Sequence, residues 1–289
     1  MMRCLLAVLI LLAAPAHAAP VVIGSKAFAE SYILAEAGAQ LLESRGFDVE
    51  RRFGLNGTQI AFGALANEEL DFYPEYTGTI SEVILLDPAL RELPDIRAAL
   101  GTQGFQLLEP LGFNNAYAIA ASTASAERHS LAKLSDLRDA PPLRIALPHE
   151  FLNRGDGWPG VQTHYGFRRE ADGIEHALAY EALAEDKVDI ISVYTTDGQI
   201  VRSDLVILED DRNFFPKYYA AFLARADADP AASEVLEILS GLIDDRRMRE
   251  LNLDVLDPAV SYADVANRFL REEGLISEDD RGRTVFDDL

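Results

Sequence analysis

One pattern constrains this chain more than any other. A short apolar run, a turn built from glycine and polar residues, and a stretch with apolar residues at helical spacing follow one another repeatedly. The run at 21–24 leads through Ser25 and Lys26 into residues 28–45, where Ile33, Leu34, Ala37, Leu41 and Leu42 recur every few positions. A second strand is predicted at 49–53, then a turn over 54–58 and a helix carrying Ile60, Phe62, Leu65 and Ala66. Gly57 and Thr58 suit the turn and the helix cap. Residues 70–73 read as a strand stopped by Pro74, which cannot donate to a ladder, and Thr77, Gly78 and Thr79 open a helix running to 86. Strands are predicted again at 117–121, 143–147, 189–194 and 205–208, with loop and helix over 122–139 and a helix at 174–185. Beyond Tyr219 the chain reads as mainly helical, most clearly at 234–243 and 262–273, before a loosely held acidic tail at 277–289. This alternation predicts an α/β fold with mostly parallel sheets covered by helices on both faces.

With 289 residues, 49% of them hydrophobic, the chain can bury one large core or two smaller ones, and two lobes are expected. No proline- or glycine-rich tether separates two halves. A lobe whose chain leaves and later returns explains that, since its crossings are short strand-like segments. The expected division is a leader at 1–18, a discontinuous first lobe at 19–116 and 219–289, and a second lobe at 117–218. The leader is a cleavable secretory signal: Arg3 precedes an apolar run at 5–14, and Ala16-His17-Ala18 follows. About ten apolar residues fall short of the ~20 that span a bilayer as a helix. Cys4, the single cysteine, precedes that run, so the secreted chain is expected to lack thiols and thiolate metal sites.

Composition removes other classes. A formal charge of -22, from 48 acidic and 26 basic residues, disfavours any phosphate-backbone partner, so no nucleic acid is expected. A well-solvated surface is the plain reading of that acidity. His129, His149, His164 and His176 are scattered without metal-site spacing, and no Gly-x-Ser-x-Gly or HExxH motif is present. The turn at 54–58 lacks the Gly-Lys-Ser/Thr ending of a phosphate loop. No catalytic residue, metal or cofactor is therefore assigned, with an enzyme on the same two-lobed scaffold as the alternative.

Placing polar and aromatic residues on the predicted elements gives a constellation. Lys26 follows the first strand, Tyr76 and Thr79 follow the strand at 70–73, Arg154 follows the strand at 143–147, and Tyr194 ends the strand at 189–194. Ligands of open α/β sheets bind beyond the carboxyl ends of strands. Four separate units thus aim cationic, hydroxyl and phenolic groups at one kind of location, as a cleft between lobes requires.

At these residues the chain resembles a known family, the substrate-binding proteins of osmoprotectant ABC importers. The matching segments are Gly24-Ser25-Lys26-Ala27-Phe28-Ala29-Glu30, 55–58, Asp71-Phe72-Tyr73-Pro74-Glu75-Tyr76-Thr77-Gly78-Thr79, 114–118, 150–157, 194–198 and 210–216. The Tyr-Pro-Glu-Tyr-Thr-Gly-Thr stretch is the most specific of them. The resemblance implies a type II periplasmic binding protein, expected as a monomer, which closes on a betaine and delivers it to an inner-membrane permease. It implies an aromatic box of Tyr76, Tyr117, Tyr194 and Tyr218 around a trimethylammonium head, with Lys26, Thr79 and Arg154 holding a carboxylate. Asn115 stands where some members carry an acidic residue near the box, a lost counter-charge that weakens cation binding or favours zwitterions. Two cations in the cleft are expected to repel choline, which ranks glycine betaine and its relatives first. Choline, carnitine and ergothioneine remain as alternative ligands, and a receptor-coupled sensor as an alternative role.

Each residue also has a plainer reading. A single buried tyrosine usually packs. Lys26 or Arg154 alone is usually a surface charge or an ion-pair partner. Tyr73, Tyr219, Phe214 and Phe215 are assigned to core or hinge packing, with Tyr219 competing with Tyr218 for the inward position. Trp158, in a Gly-Trp-Pro-Gly turn, is expected as a lobe-surface contact.

Overall fold

The computed structural model describes residues 19–277, so the expected leader and the tail from 278 onward lie outside the described residues. Ten strands form two five-stranded sheets. They are β1 (Val21–Lys26), β2 (Val49–Leu55), β3 (Phe72–Tyr76), β4 (Phe105–Leu107), β5 (Tyr117–Ser122), β6 (Ile145–Pro148), β7 (Asp172–Ile174), β8 (Ile190–Tyr194), β9 (Leu205–Ile207) and β10 (Ala220–Arg225). The first sheet has the order β2-β1-β3-β10-β4 and the second β7-β6-β8-β5-β9. These are the two sheets of a type II periplasmic binding protein.

Each sheet is mixed rather than mostly parallel. The strand–turn–helix units give the parallel pairs β1–β2, β1–β3, β6–β7 and β6–β8. The strands that follow a crossing run the other way: β5 is antiparallel to β8 and β9, and β10 to β3 and β4. The crossings themselves are short and lie side by side. Asn114 bridges Tyr219 in antiparallel fashion, the Asn115 N–H donates to the Tyr218 carbonyl at 3.0 Å, and the Tyr218 N–H donates to Asn114 Oδ1 at 2.7 Å.

Packing follows the predicted periodicity. The helix Ala29–Ser44 buries Ile33, Leu34, Ala37, Leu41 and Leu42 in the same core as Val265, Ala266, Phe269 and Leu270 of the helix Tyr262–Glu272. Gly38 lets the first of these helices lie close on the sheet, because a Cβ there would come within 2.8 Å of the Phe222 ring. Tyr262–Glu272 starts on a capping box in which Ser261 and Asp264 satisfy each other's backbone N–H groups.

Three further expectations need correction. Pro74 does not stop its strand but sits inside β3, opposite Phe222. The Leu108 N–H donates to the Phe222 carbonyl, so Phe222 turns its polar backbone toward β4 and the missing proline N–H leaves that ladder intact. The helix expected at 234–243 spans Pro230–Glu237 instead, set by the Asp229 side chain accepting from the Ala231 N–H and by proline in its first turn. Trp158 is not at the surface: it is 3% exposed, with its indole N–H donating to the Arg169 carbonyl at 3.1 Å.

Candidate functional site

A cavity of ≈ 380 Å³ lies between the two sheets and takes its walls from both. All eight residues singled out from the sequence line it: Lys26, Tyr76, Thr79, Asn115, Tyr117, Arg154, Tyr194 and Tyr218. Topology brings them together by two routes. Lys26, Tyr76 and Tyr194 are the last residues of β1, β3 and β8, and their sheets direct those ends toward the cleft. Tyr117 and Tyr218 arrive from the opposite chain direction, Tyr117 as the first residue of antiparallel β5 and Tyr218 just before antiparallel β10. Tyr117 therefore stands across from Tyr194 in register, and Ala220 across from Tyr76.

The rings form two walls. Tyr117 lies 5.1 Å from Tyr194 and 5.7 Å from Tyr218, the latter pair edge-on at 89°. Tyr76 faces Phe28, 6.3 Å away, and has no ring contact with the other three. Tyr218 rather than Tyr219 is the inward residue, at 2% exposure against 39%. Phe215 backs Tyr117 at 6.5 Å. Burial keeps the phenols of Tyr76, Tyr117, Tyr194 and Tyr218 protonated well beyond their ordinary range, so the walls are neutral aromatic faces. Such faces suit a cation that has no N–H to donate.

The two expected cations are present but not free. Lys26 Nζ sits 2.5 Å from Oε1 of fully buried Glu75 and 5.1 Å from the centre of the Tyr76 ring. Arg154 donates through Nε and Nη2 to Asp156 at 2.7 and 2.5 Å, and through Nη1 to Glu150 at 3.1 Å. Asp156 also accepts the Tyr218 hydroxyl, so one carboxylate fixes both a cation and a wall of the cavity. Burial opposes the Arg154 charge, yet the hydrogen bonds to Asp156 and the electrostatic attraction of its neighbours together outweigh it and raise its pKa. The picture of two uncompensated cations repelling choline is thus not met. Each brings its own anion, which offsets much of the cost of burying the cation.

Asn115 does not stand alone in place of an acid. Its Nδ2 donates to Glu30 Oε1 at 2.7 Å, while its own Oδ1 is buried without a partner. Glu30 also receives the Tyr76 hydroxyl at 2.6 Å, the Thr196 hydroxyl at 2.7 Å and Asn252 Nδ2 at 2.8 Å. Burial pushes the Glu30 carboxyl above its usual range, against four hydrogen bonds that favour its ionised form.

Sequence reasoning missed part of the lining. Phe28, His149, Glu150, Glu175 and His176 contribute to the cavity, the last with Nε2 2.9 Å from Asp197 and its ring 4.6 Å from Tyr194. The turn at Asn56, Gly57 and Thr58 also reaches it, with Gly57 at φ +100° before the helix Thr58–Ala66. Position just past a strand end was an available clue for His149, which follows β6, and for His176, which follows β7. Among the described residues no three His, Cys, Asp or Glu side chains group as metal ligands, and no helix is long and apolar enough to cross a membrane.

Comparison with known proteins agrees with this geometry. The chain is 33% identical over 265 residues to the ergothioneine transport permease/ergothioneine binding protein EgtU of Helicobacter pylori, an alignment covering 89% of this chain and 48% of that protein. It is 32% identical to the glycine-betaine-binding protein of Pseudomonas aeruginosa, covering 90% of each. Among solved structures, one described as a glycine betaine/carnitine/choline ABC transporter superposes with a TM-score of 0.76 at 26% identity, covering 88% of this chain and 99% of that one. Apo YehZ from Escherichia coli gives 0.68 at 26% identity, covering 90% and 100%. Residues 19–272 match the family model of the substrate binding domain of ABC-type glycine betaine transport systems, and the chain belongs to that family.

Proposed function

We propose that this protein captures a quaternary-ammonium compound, glycine betaine or a related betaine, in the periplasm and delivers it to an ABC permease. The observation that carries this reading is the convergence of four tyrosines, Thr79, Lys26 and Arg154 from both sheets on one cavity. A trimethylammonium group has only methyl hydrogens to offer, so it is recognised by shape and by aromatic faces, each contributing about 0.5–2 kcal/mol when desolvated. In this reading Tyr76, Tyr117, Tyr194 and Tyr218 surround that group. Thr79, Lys26 and Arg154 meet the carboxylate, the two cations sharing their hydrogens between ligand and buried partner. Arg154 suits the task because its fork offers more donors than Asp156 and Glu150 consume.

The lobes are taken as 19–116 with 219–289, and 117–218. Their joint is the pair of crossing segments around Asn114 and Tyr219, which lie antiparallel. A ligand touching both lobes favours the closed arrangement and shifts the population toward it. The site captures its ligand without chemistry, and one copy of the chain suffices. Protein unfolded, freed of ligand and refolded should bind glycine betaine saturably in calorimetry. Indifference to every quaternary amine tried would defeat the proposal.

A further inference from the structure

We infer that Glu30 is the counter-charge of the ammonium half of the cleft and sets how strongly the protein discriminates a bare cation from a zwitterion. Four carboxylates are buried among the described residues: Glu30, Glu75, Asp156 and Asp189. Three of them hold a cation, Glu75 with Lys26, Asp156 with Arg154 and Asp189 with Arg144. Glu30 holds none. Its four partners are all neutral donors, the Tyr76 hydroxyl and Asn115 on Oε1, the Thr196 hydroxyl and Asn252 on Oε2. The guanidinium nearest along the helix Asp245–Asp254, that of Arg249, goes to the Thr195 carbonyl at 3.0 Å instead. Four donors pointing at two oxygens match the four acceptor sites of an ionised carboxylate and oppose the effect of burial.

The anion is aimed at the cavity through its partners. Tyr76 and Asn115 line the cavity, and Glu30 stands directly behind them. With Lys26 paired to Glu75 and Arg154 to Asp156, Glu30 is the buried carboxylate left without a cation behind this wall; the cavity-lining Glu150 is held by Arg154, and Glu175 lines the cavity from the other sheet. A quaternary ammonium resting on the Tyr76 face would serve as its counter-ion, one phenol ring away. This rests on the proposed binding of quaternary amines in the aromatic box. The acid expected near the box, and replaced there by Asn115, is thus supplied from a different part of the chain through the Asn115 amide.

The size of the effect follows from distance. At a separation on the order of 8 Å and an effective dielectric constant of about 20, the attraction changes a dissociation constant roughly 30-fold. In a betaine the carboxylate, about 4 Å farther away, is repelled and cancels most of that gain, leaving roughly 3-fold. Glu30→Gln is the matching perturbation. The glutamine amide fits the site because Asn115 Oδ1 and Asn252 Oδ1 are both buried without partners, and either amide turned over would accept from it.

The test is calorimetric titration of the parent protein and Glu30→Gln with choline and with glycine betaine, after thermal unfolding has established that the variant is folded. We expect choline to weaken about 30-fold and glycine betaine about 3-fold, so that the preference for betaine rises about tenfold. Equal losses for both ligands would reduce Glu30 to a structural clasp and overturn the inference. If Glu30→Gln does not fold, Asn252→Lys decides the matter by the same ratio, because it brings an ammonium to Glu30 from the side away from the cavity. A parent protein that binds neither ligand would instead defeat the proposed function, and the two failures are distinct.

Discussion

Gly78 is predicted to be required by Tyr218 rather than by the backbone. A Cβ at position 78 would lie 2.6 Å from both Cδ1 and Cε1 of the Tyr218 ring and 2.9 Å from Cζ. The ring cannot retreat, since its hydroxyl is held by Asp156 and its edge meets Tyr117 at 5.7 Å. Overpacking of this kind costs about 1–3 kcal/mol. Against it stands the gain from replacing a helical glycine by alanine, about 0.5–1 kcal/mol. Gly78→Ala should therefore lower stability by at most about 2.5 kcal/mol in urea unfolding. A displaced Tyr218 wall should also weaken glycine betaine by roughly 2- to 30-fold, the equivalent of about 0.5–2 kcal/mol. The decisive assay is a double-mutant cycle with Tyr218→Ala. In that background the steric conflict is gone, and Gly78→Ala should be neutral or mildly stabilising, giving a coupling of about 1–3 kcal/mol. Additive effects on stability and affinity would refute the reasoning.

Two further substitutions probe the buried ion pairs. Asp156→Asn removes the charge facing Arg154 and weakens the acceptor of the Tyr218 hydroxyl, and breaking a buried pair in this way costs about 3–5 kcal/mol. Glycine betaine should then raise the melting temperature more than in the parent protein, because its carboxylate meets a guanidinium left with Glu150 as its remaining anion; unchanged stability in the variant would contradict the pairing. Asp189 accepts from Arg144 at 2.8 and 3.0 Å, and these bonds hold its carboxyl below the usual range against the opposing effect of burial. A depressed folded-state pKa contributes stability above the unfolded value of about 4 and loses it as pH falls through and below that point. The stability gap between the parent protein and Asp189→Asn should accordingly be full at pH 7 and shrink on acidification, as followed by unfolding at a series of pH values. A gap independent of pH would exclude the assignment.

What the sequence determined by itself was whatever depends on near neighbours. Apolar spacing located the strand–turn–helix units, and the end of a strand located Lys26, Tyr76 and Tyr194, because a side chain just past a parallel strand is carried to the same edge wherever the unit sits. Motif resemblance added Tyr117 and Tyr218, which stand at or just before the start of antiparallel strands and so escape that rule. Arg154 finds Glu150 and Asp156 close by in the chain, but tertiary structure decided where the other charges and hydroxyls of the site are compensated. Lys26 finds Glu75 49 positions away, the Tyr218 hydroxyl finds Asp156 62 positions away, and the donors on Glu30 come from as far as Asn252, 222 positions away. Once water is excluded, a buried charge must take its partner from whatever the fold brings within about 3 Å, and that choice is made through space, not along the chain.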